Sequence, residues 1–358
     1  MTERRAFRLG PDAPFRRLVG VGGIGGGMFL ALEGDRTLGR NESRPARLLD
    51  VRDYGKLHIV AHHVAVLLGA EPSGTPFHVV PVGKVGADET GRRLVTEMAE
   101  AGMDTTYVEE VEGSATLFSV CFQYPDGSGG NITTADSAAA ALGEADVERV
   151  APLLDAGTIA LAAPEVGLGA RRRLLELATE RGAFRVASLT SADVEEARAS
   201  GLLGLVDLLA LNEDEAAILA GCGLDPDDPH PYLDAVSAAL EPGRAEMRIV
   251  VTAGASGAFA FEGGRWDGRR PPSVEVRSTA GAGDALLAGV LSALAAGVPL
   301  IGPTHEDALG SALDLGVALA ALSVTSPHTI HPATNLDALI AFVGASGLVL
   351  RPPLADVV

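Results

Sequence analysis

Seven residues carry the clearest chemical pattern in the chain: Ser278-Thr279-Ala280-Gly281-Ala282-Gly283-Asp284, running directly into the apolar segment Ala285–Ala296. Two glycines let the backbone turn tightly, so consecutive N–H groups at a helix N-terminus can point at one anion. Asp284 would then stand at the mouth of an anion hole made by Gly281, Ala282 and Gly283. Such an arrangement suits phosphoryl transfer. The carboxylate takes a proton from an acceptor hydroxyl, and the amides stabilise charge on the moving phosphoryl group. The same seven residues also fit a plain glycine-rich turn in which Asp284 caps the helix.

Other polar residues offer weaker patterns. His58 and His62 stand four apart with His63 beside them, but no carboxylate or cysteine partner is evident, which favours surface or substrate-facing histidines over zinc ligands. Cys121 and Cys222 are far apart and read as two reduced, partly buried thiols. The charged stretch Glu33–Lys56 supplies Asp35, Arg40, Asn41, Glu42, Arg44 and Asp53 as candidate acceptor contacts, and Asn131 and Asp136 end a second excursion. Gly20-Val21-Gly22-Gly23-Ile24-Gly25 is a literal G-x-G-x-x-G, with Glu42 placed to act as a ribose-binding acid in an NAD-dependent dehydrogenase. That motif needs a helix to begin inside the glycines. Met28–Asp35 is too short for one, so tight packing or close approach to a ligand accounts better for the glycines.

The elements that must position these groups follow from the hydrophobic pattern. Short apolar strands are expected at Arg17–Val21, Phe77–Val82, Leu117–Tyr124, Thr158–Ala162, Phe184–Ser188, Val206–Ala210 and Arg248–Thr252. Helices are expected at Lys56–Leu68, ended by Gly69, at Thr90–Ala101, ended by Gly102, and at Gly169–Arg181. Leu117–Tyr124 turns through Pro125-Asp126-Gly127 into Gly130–Thr134 as a hairpin. Apolar strands alternating with helices predict a three-layer α/β/α sandwich with a mostly parallel sheet. One domain is expected over 1–358, with a small β lid drawn from excursions at about 28–53 and 113–134.

Composition narrows the partners. Of 358 residues, 47% are hydrophobic, which supports a large core. The formal charge of −19 repels nucleic acid and anionic lipid. It leaves ATP possible, because backbone amides and Mg²⁺ can hold phosphates inside an acidic protein. Ala285–Pro303 is uncharged but interrupted by glycine and proline, and reads as a buried helix, not a membrane span. The first residues lack an apolar signal-peptide core, so a cytoplasmic location is expected.

Ser278–Asp284 resembles the D-T-x-G-A-G-D signature of the ribokinase-like (PfkB family) carbohydrate kinases. Further segments match in the family's order. Val82–Gly91 resembles its V-G-x-D-x-x-G turn, Asn212-Glu213-Asp214-Glu215 its N-x-x-E motif, and Thr252–Gly257 its T-x-G-x-x-G turn. The likeness spans roughly residues 17 to 340, and co-linear motifs are more specific than any one alone. It implies a kinase that moves the ATP γ-phosphoryl group to a small sugar or nucleoside, with Asp284 as base. Asn212 and Glu215 would organise Mg²⁺ through phosphates and water, Thr252, Gly254 and Gly257 would hold the nucleotide phosphates, and Val317 and Val324, on the last helix and its exit, would line the adenine site. Gly55 and Lys56 match part of the sugar-recognition pattern G-G-K-G-A-N, and Gly25 stands where a sugar-gripping Asp is usual.

Two departures stand out. Ser278 replaces the signature's first Asp, and the loop Thr325–Ile330 lacks a frequent glycine, which leaves activation by a monovalent cation in doubt. The incomplete sugar pattern also keeps a catalytically weak, kinase-fold ligand sensor as an alternative. A homodimer through the lid strands is a further expectation.

Overall fold

The computed structural model describes residues 5–125, 129–240, 247–303 and 307–358. In chain order its first strands are β1 (Arg17–Val21), β2 (Gly25–Leu32), β3 (Ala46–Tyr54), β4 (His78–Gly86), β5 (Val108–Val111), β6 (Leu117–Gln123) and β7 (Gly129–Thr133). Then follow β8 (Thr158–Ala162), β9 (Phe184–Ser188), β10 (Leu208–Asn212), β11 (Arg248–Thr252), β12 (Ala258–Glu262) and β13 (Arg265–Arg269). Helices are α1 (Lys56–Leu68), α2 (Glu89–Glu100), α3 (Glu144–Glu148), α4 (Leu168–Arg181) and α5 (Val194–Ala199). They continue as α6 (Glu213–Ala220), α7 (His230–Ala239), α8 (Ala282–Ala295), α9 (Ala312–Ser323) and α10 (Leu336–Ala345).

Nine strands make one sheet in the order β13-β12-β11-β10-β9-β8-β1-β4-β5. Pairings from β5 through β11 are parallel; β12 and β13 add to the edge antiparallel. All five residues of β8 are buried, because helices cover both faces of a parallel sheet. Side chains of α1, α8, α9 and α10 build the core on one face. Those of α4 to α7 pack on the other. This is the expected α/β/α sandwich with a mostly parallel sheet.

The second, smaller sheet has the order β3-β2-β6-β7. β2 runs antiparallel to β3 and parallel to β6, while β6 and β7 form an antiparallel pair whose turn residues 126–128 lie outside the described residues. The charged run before Tyr54 therefore contains a full strand. Its residues form β3 by pairing with β2, not by burying a face, and Leu48 stays 66% exposed. Charge along the solvent face hides such a strand from an analysis based on apolar alternation.

Helix bounds follow local chemistry. α1 ends at Gly69 in the left-handed conformation, whose N–H caps the Ala65 carbonyl. Asp88 caps α2, accepting from Gly91 N–H and from the Thr116 N–H and hydroxyl at 2.7–2.8 Å. The Val82–Gly91 match is thus a structural corner. α8 is buried from Ala285 to Ala295, and among the described residues no helix is long and apolar enough to cross a membrane.

The histidine expectation is corrected here. His58 and His63 are fully buried in the face of α1 that joins the core, and their ring nitrogens have no hydrogen-bond partner among the described residues. Burial pushes the His63 imidazole down to about 3, with His62 and His331 adding repulsion. The group stays neutral when folded but takes a proton below about 6.5 when unfolded. Stability from this group is therefore complete above pH 6.5 and declines as the solution is acidified toward 3. His63→Leu should flatten the acid side of the stability–pH curve, measured by urea midpoints at pH 4 and 7; an unchanged acid loss would contradict this account.

Candidate active site

Parallel strands deliver the functional groups at their C-terminal ends, where open α/β sheets bind ligands. Asn212 ends β10, Thr252 ends β11, and Glu165 follows β8 by three residues. The N-terminus of α8 closes the same edge. Gly281 adopts φ +80°, and a Cβ there would lie 2.5 Å from the Thr329 carbonyl, so only glycine fits. Ala282 N–H donates to the Thr279 carbonyl at 3.2 Å, and Ala285 N–H donates to the Gly281 carbonyl at 2.9 Å. The N–H groups of Gly283 and Asp284 fall between them in the open first turn, where a helix leaves donors free for an anion. Ala282 therefore supports the turn, and Gly283 and Asp284 present the donors.

Two cavities meet at this turn. The larger, about 700 Å³, is lined by every residue expected to hold the nucleotide: Asn212, Glu215, Thr252, Gly254, Gly257, Val317 and Val324. Val317 and Val324 belong to α9 and its C-cap, which is not the last helix, since α10 follows. The smaller, about 290 Å³, is lined by Gly25, Gly55, Asp53, Asn131 and Glu165. Lys56, Gly281 and Asp284 line both. Asn41 and Asp136 line neither and are exposed, because the connector between β2 and β3 and the segment after β7 turn away from the cavity. Glu42 is likewise spent on the surface, accepting from Gly39 N–H and pairing with Arg36 and Arg44.

Charge is concentrated between the cavities. Lys56 Nζ lies 3.7 Å from Asp284 Oδ2, whose side chain is 11% exposed. Burial raises the proton affinity of Asp284, opposed by Lys56. The Asp284 charge in turn holds Lys56 firmly in its ammonium form. Glu165 sits alongside, accepting from the Lys56 backbone N–H at 2.9 Å with its own backbone at φ +72°. Loss of water pushes its carboxyl up to about 7, against the pull of Lys56 and with repulsion from Asp284 and Asp53. Glu215 is also pushed up to about 7 by burial. Its two oxygens accept from the Asn212 N–H and side-chain amide at 2.9 Å, while Asn212 Oδ1 accepts from Glu215 N–H at 2.8 Å. This reciprocal cap leaves lone pairs for water and fits an indirect role at a metal better than direct ligation.

The loop after α9 joins the two sheets. Thr329 Oγ1 accepts from Tyr54 N–H at 3.1 Å, and Thr329 N–H donates to the Arg52 carbonyl at 3.2 Å. His328 Nδ1 accepts from Arg52 N–H at 3.0 Å. Ser278 Oγ accepts from Ala280 N–H at 3.2 Å, so it shapes the turn and offers no carboxylate there.

Several site residues escape the sequence motifs. Glu165 could have been found by asking which acid follows a fully buried parallel strand. Thr329 carries no such signal, since its place depends on contact with β3. Cys121 is half-buried at the smaller cavity and burial pushes its thiol up to about 12, whereas Cys222 is exposed rather than partly buried. The dehydrogenase reading is overturned. No helix starts among Gly20, Gly22 and Gly25; β1 runs into β2, and a Cβ at Gly22 would meet Ala163 Cβ at 2.7 Å.

Comparison with known proteins gives the family and the fold. Residues 61–336 match the model for the pfkB family carbohydrate kinases. A ribokinase of Haemophilus influenzae is 26% identical over 241 residues, 67% of this chain and 73% of the relative. Among solved structures, Arabidopsis thaliana ribokinase complexed with ribose and ATP superposes with TM-score 0.69 at 21% identity, covering 92% of this chain and 99% of that one. Aminoimidazole riboside kinase of Salmonella enterica, complexed with aminoimidazole riboside and an ATP analogue, gives 0.66 at 18%, covering 91% and 99%. The chain belongs to the pfkB family of carbohydrate kinases.

Glu165 supplies a direct test of the electrostatics. Its folded value near 7 exceeds the ordinary 4.5, so its stabilising contribution is present below about 4.5 and is lost as pH rises through 7. Glu165→Gln should therefore gain stability relative to the parent as pH rises from 5 to 8. A constant difference in urea midpoint across that range would rule out the shift.

Proposed function

We propose that this kinase transfers the ATP γ-phosphoryl group to a hydroxyl of a small sugar or nucleoside. One observation carries the reading: Gly281 and Asp284, at the start of α8, line both a nucleotide-sized cavity and a smaller one. ATP would occupy the larger, its phosphates on the Gly254–Gly257 turn and its base near Val317 and Val324. The acceptor would occupy the smaller. Ribose with ATP, and a riboside with an ATP analogue, are the pairs named for two structures of this fold.

In this mechanism Asp284 takes the proton of the acceptor hydroxyl, the oxygen forms a bond to the γ-phosphorus, and the bond to the ADP oxygen breaks. Raised proton affinity makes Asp284 a stronger base than an exposed aspartate. Gly283 and Asp284 N–H groups receive charge on the moving phosphoryl group. Lys56 opposes the upward pull of burial on Asp284 and stands at the same boundary. Mg²⁺ would neutralise the phosphates, held through water by Asn212 and Glu215. The smaller sheet would close the acceptor cavity as a lid, limiting hydrolysis of ATP by water. Its exposed Leu48 and Ile132 mark the surface where two copies would pair. Two free thiols and dependence on ATP suit the cytoplasm.

Asp284→Asn should lower kcat by about 10²–10⁴-fold while Mg-ATP affinity, read by calorimetry, is retained. Near-normal turnover would remove Asp284 from its role. With Ser278 in place of a carboxylate, replacing K⁺ by tetramethylammonium at constant ionic strength should leave kcat unchanged; strong K⁺ activation would contradict that.

A further inference from the structure

The acceptor cavity has an unusual division of labour between strands. β2 passes along its wall, yet Gly25 and Gly27 cannot carry side chains there. A Cβ at Gly25 would lie 2.6 Å from the Leu117 carbonyl, and one at Gly27 would lie 2.6 Å from the Ser119 carbonyl. These are backbone atoms of the paired strand β6, which cannot move aside without breaking the ladder. The space beside Gly27 is filled instead from β3: a Cβ at Gly27 would lie 2.3 Å from Asp53 Oδ2. Asp53 thus reaches across β2 into the cavity from the neighbouring strand.

Little satisfies that carboxylate within the protein. One side-chain donor is the Cys121 thiol, with Sγ 3.8 Å from Oδ2, and a thiol is a weak donor. The adjoining Tyr54 N–H and Thr329 hydroxyl assist it, but removal from water still pushes Asp53 up to about 6. An ionised carboxylate offers about four acceptor positions. Those left open face a cavity of about 290 Å³ that also holds Glu165 and Asp284. Among the described residues Lys56 is the only cation lining it, and Lys56 is engaged by Asp284. A phosphate ester entering here would bring close to two negative charges beside three carboxylates, with no arginine to receive it.

We propose that Asp53 is the specificity-determining residue of the acceptor site, gripping hydroxyl groups of a polyhydroxylated acceptor that carries no phosphate of its own. The inference rests on the kinase reading above and refines it. Asp53 orients the acceptor so that one further hydroxyl reaches Asp284; it takes no part in proton transfer.

The test uses the full chain with Mg-ATP and a panel of free aldoses, ketoses and nucleosides, each beside its monophosphate, with phosphorylated product measured directly. Turnover should be confined to the unphosphorylated members. For the best of these, Asp53→Asn should raise acceptor KM about 10-fold or more, the scale of a lost charge-assisted hydrogen bond, with ATP KM unchanged and kcat affected far less. Its melting temperature should not fall, because the change removes a poorly compensated charge. An unchanged acceptor KM, or preference for a monophosphate over its free partner, overturns the proposal. If that happens while Asp284→Asn is inactive, the kinase reading survives; if no member is phosphorylated by protein that binds Mg-ATP, both fall.

Discussion

Between the two cavities, Lys56 Nζ and Asp284 Oδ2 face each other 3.7 Å apart, each favouring the charged form of the other. Only the carboxylate is deeply buried, with Asp284 11% exposed against 38% for Lys56, so the lysine chiefly offsets the loss of water around Asp284. The pair compels much of the surrounding architecture. α1 must start where its first residue, Lys56, faces the first turn of α8, and the two helices pack along one face of the sheet. Glu165, accepting from the same lysine's backbone N–H, ties β8 to that junction. Burial is the main reason Glu165 holds a proton so readily, and repulsion from Asp284 and Asp53 adds to it. Such a cluster is poised for ligands that bring hydrogen-bond donors and, on the nucleotide side, metal-neutralised phosphates.

The loop after α9 holds the smaller sheet through the side chains of His328 and Thr329 and the Thr329 N–H. Thr329 touches both the Gly281 turn and β3, and His328 takes a second N–H from the same strand. The Gly281 turn and β3 are thus in contact through one residue, Thr329. Burial of Asp53 depends on the same arrangement, since β3 carries it and β2 leaves room for it.

Residue types revealed the lining of the larger cavity far better than that of the smaller one. Glycines at 254, 257 and 281 sit at positive φ, and Asn212 with Glu215 form a local cap, so each motif lies within a few consecutive residues. The acceptor cavity is assembled from β2, β3, β6, the end of β8 and the loop at Thr329, and no short window contains it. Asn41 and Asp136 looked comparable to Asp53 as polar residues on the excursions; only strand pairing decides which of them points inward. The central sheet was legible because its strands are continuous apolar runs. β3 was legible only as part of the lid excursion at about 28–53, because most of its residues are exposed. The buried histidines misled for the opposite reason: polarity suggested the surface, while their spacing on α1 placed His58 and His63 in the core.

The account stands or falls on where the terminal phosphate of ATP comes to rest. A crystal structure with Mg²⁺ and a non-hydrolysable ATP analogue should place the γ-phosphate at the start of α8, with oxygens about 3 Å from the Gly283 and Asp284 amide nitrogens and the phosphorus facing the smaller cavity. A nucleotide bound elsewhere, or one whose γ-phosphate points away from Asp284, would contradict it.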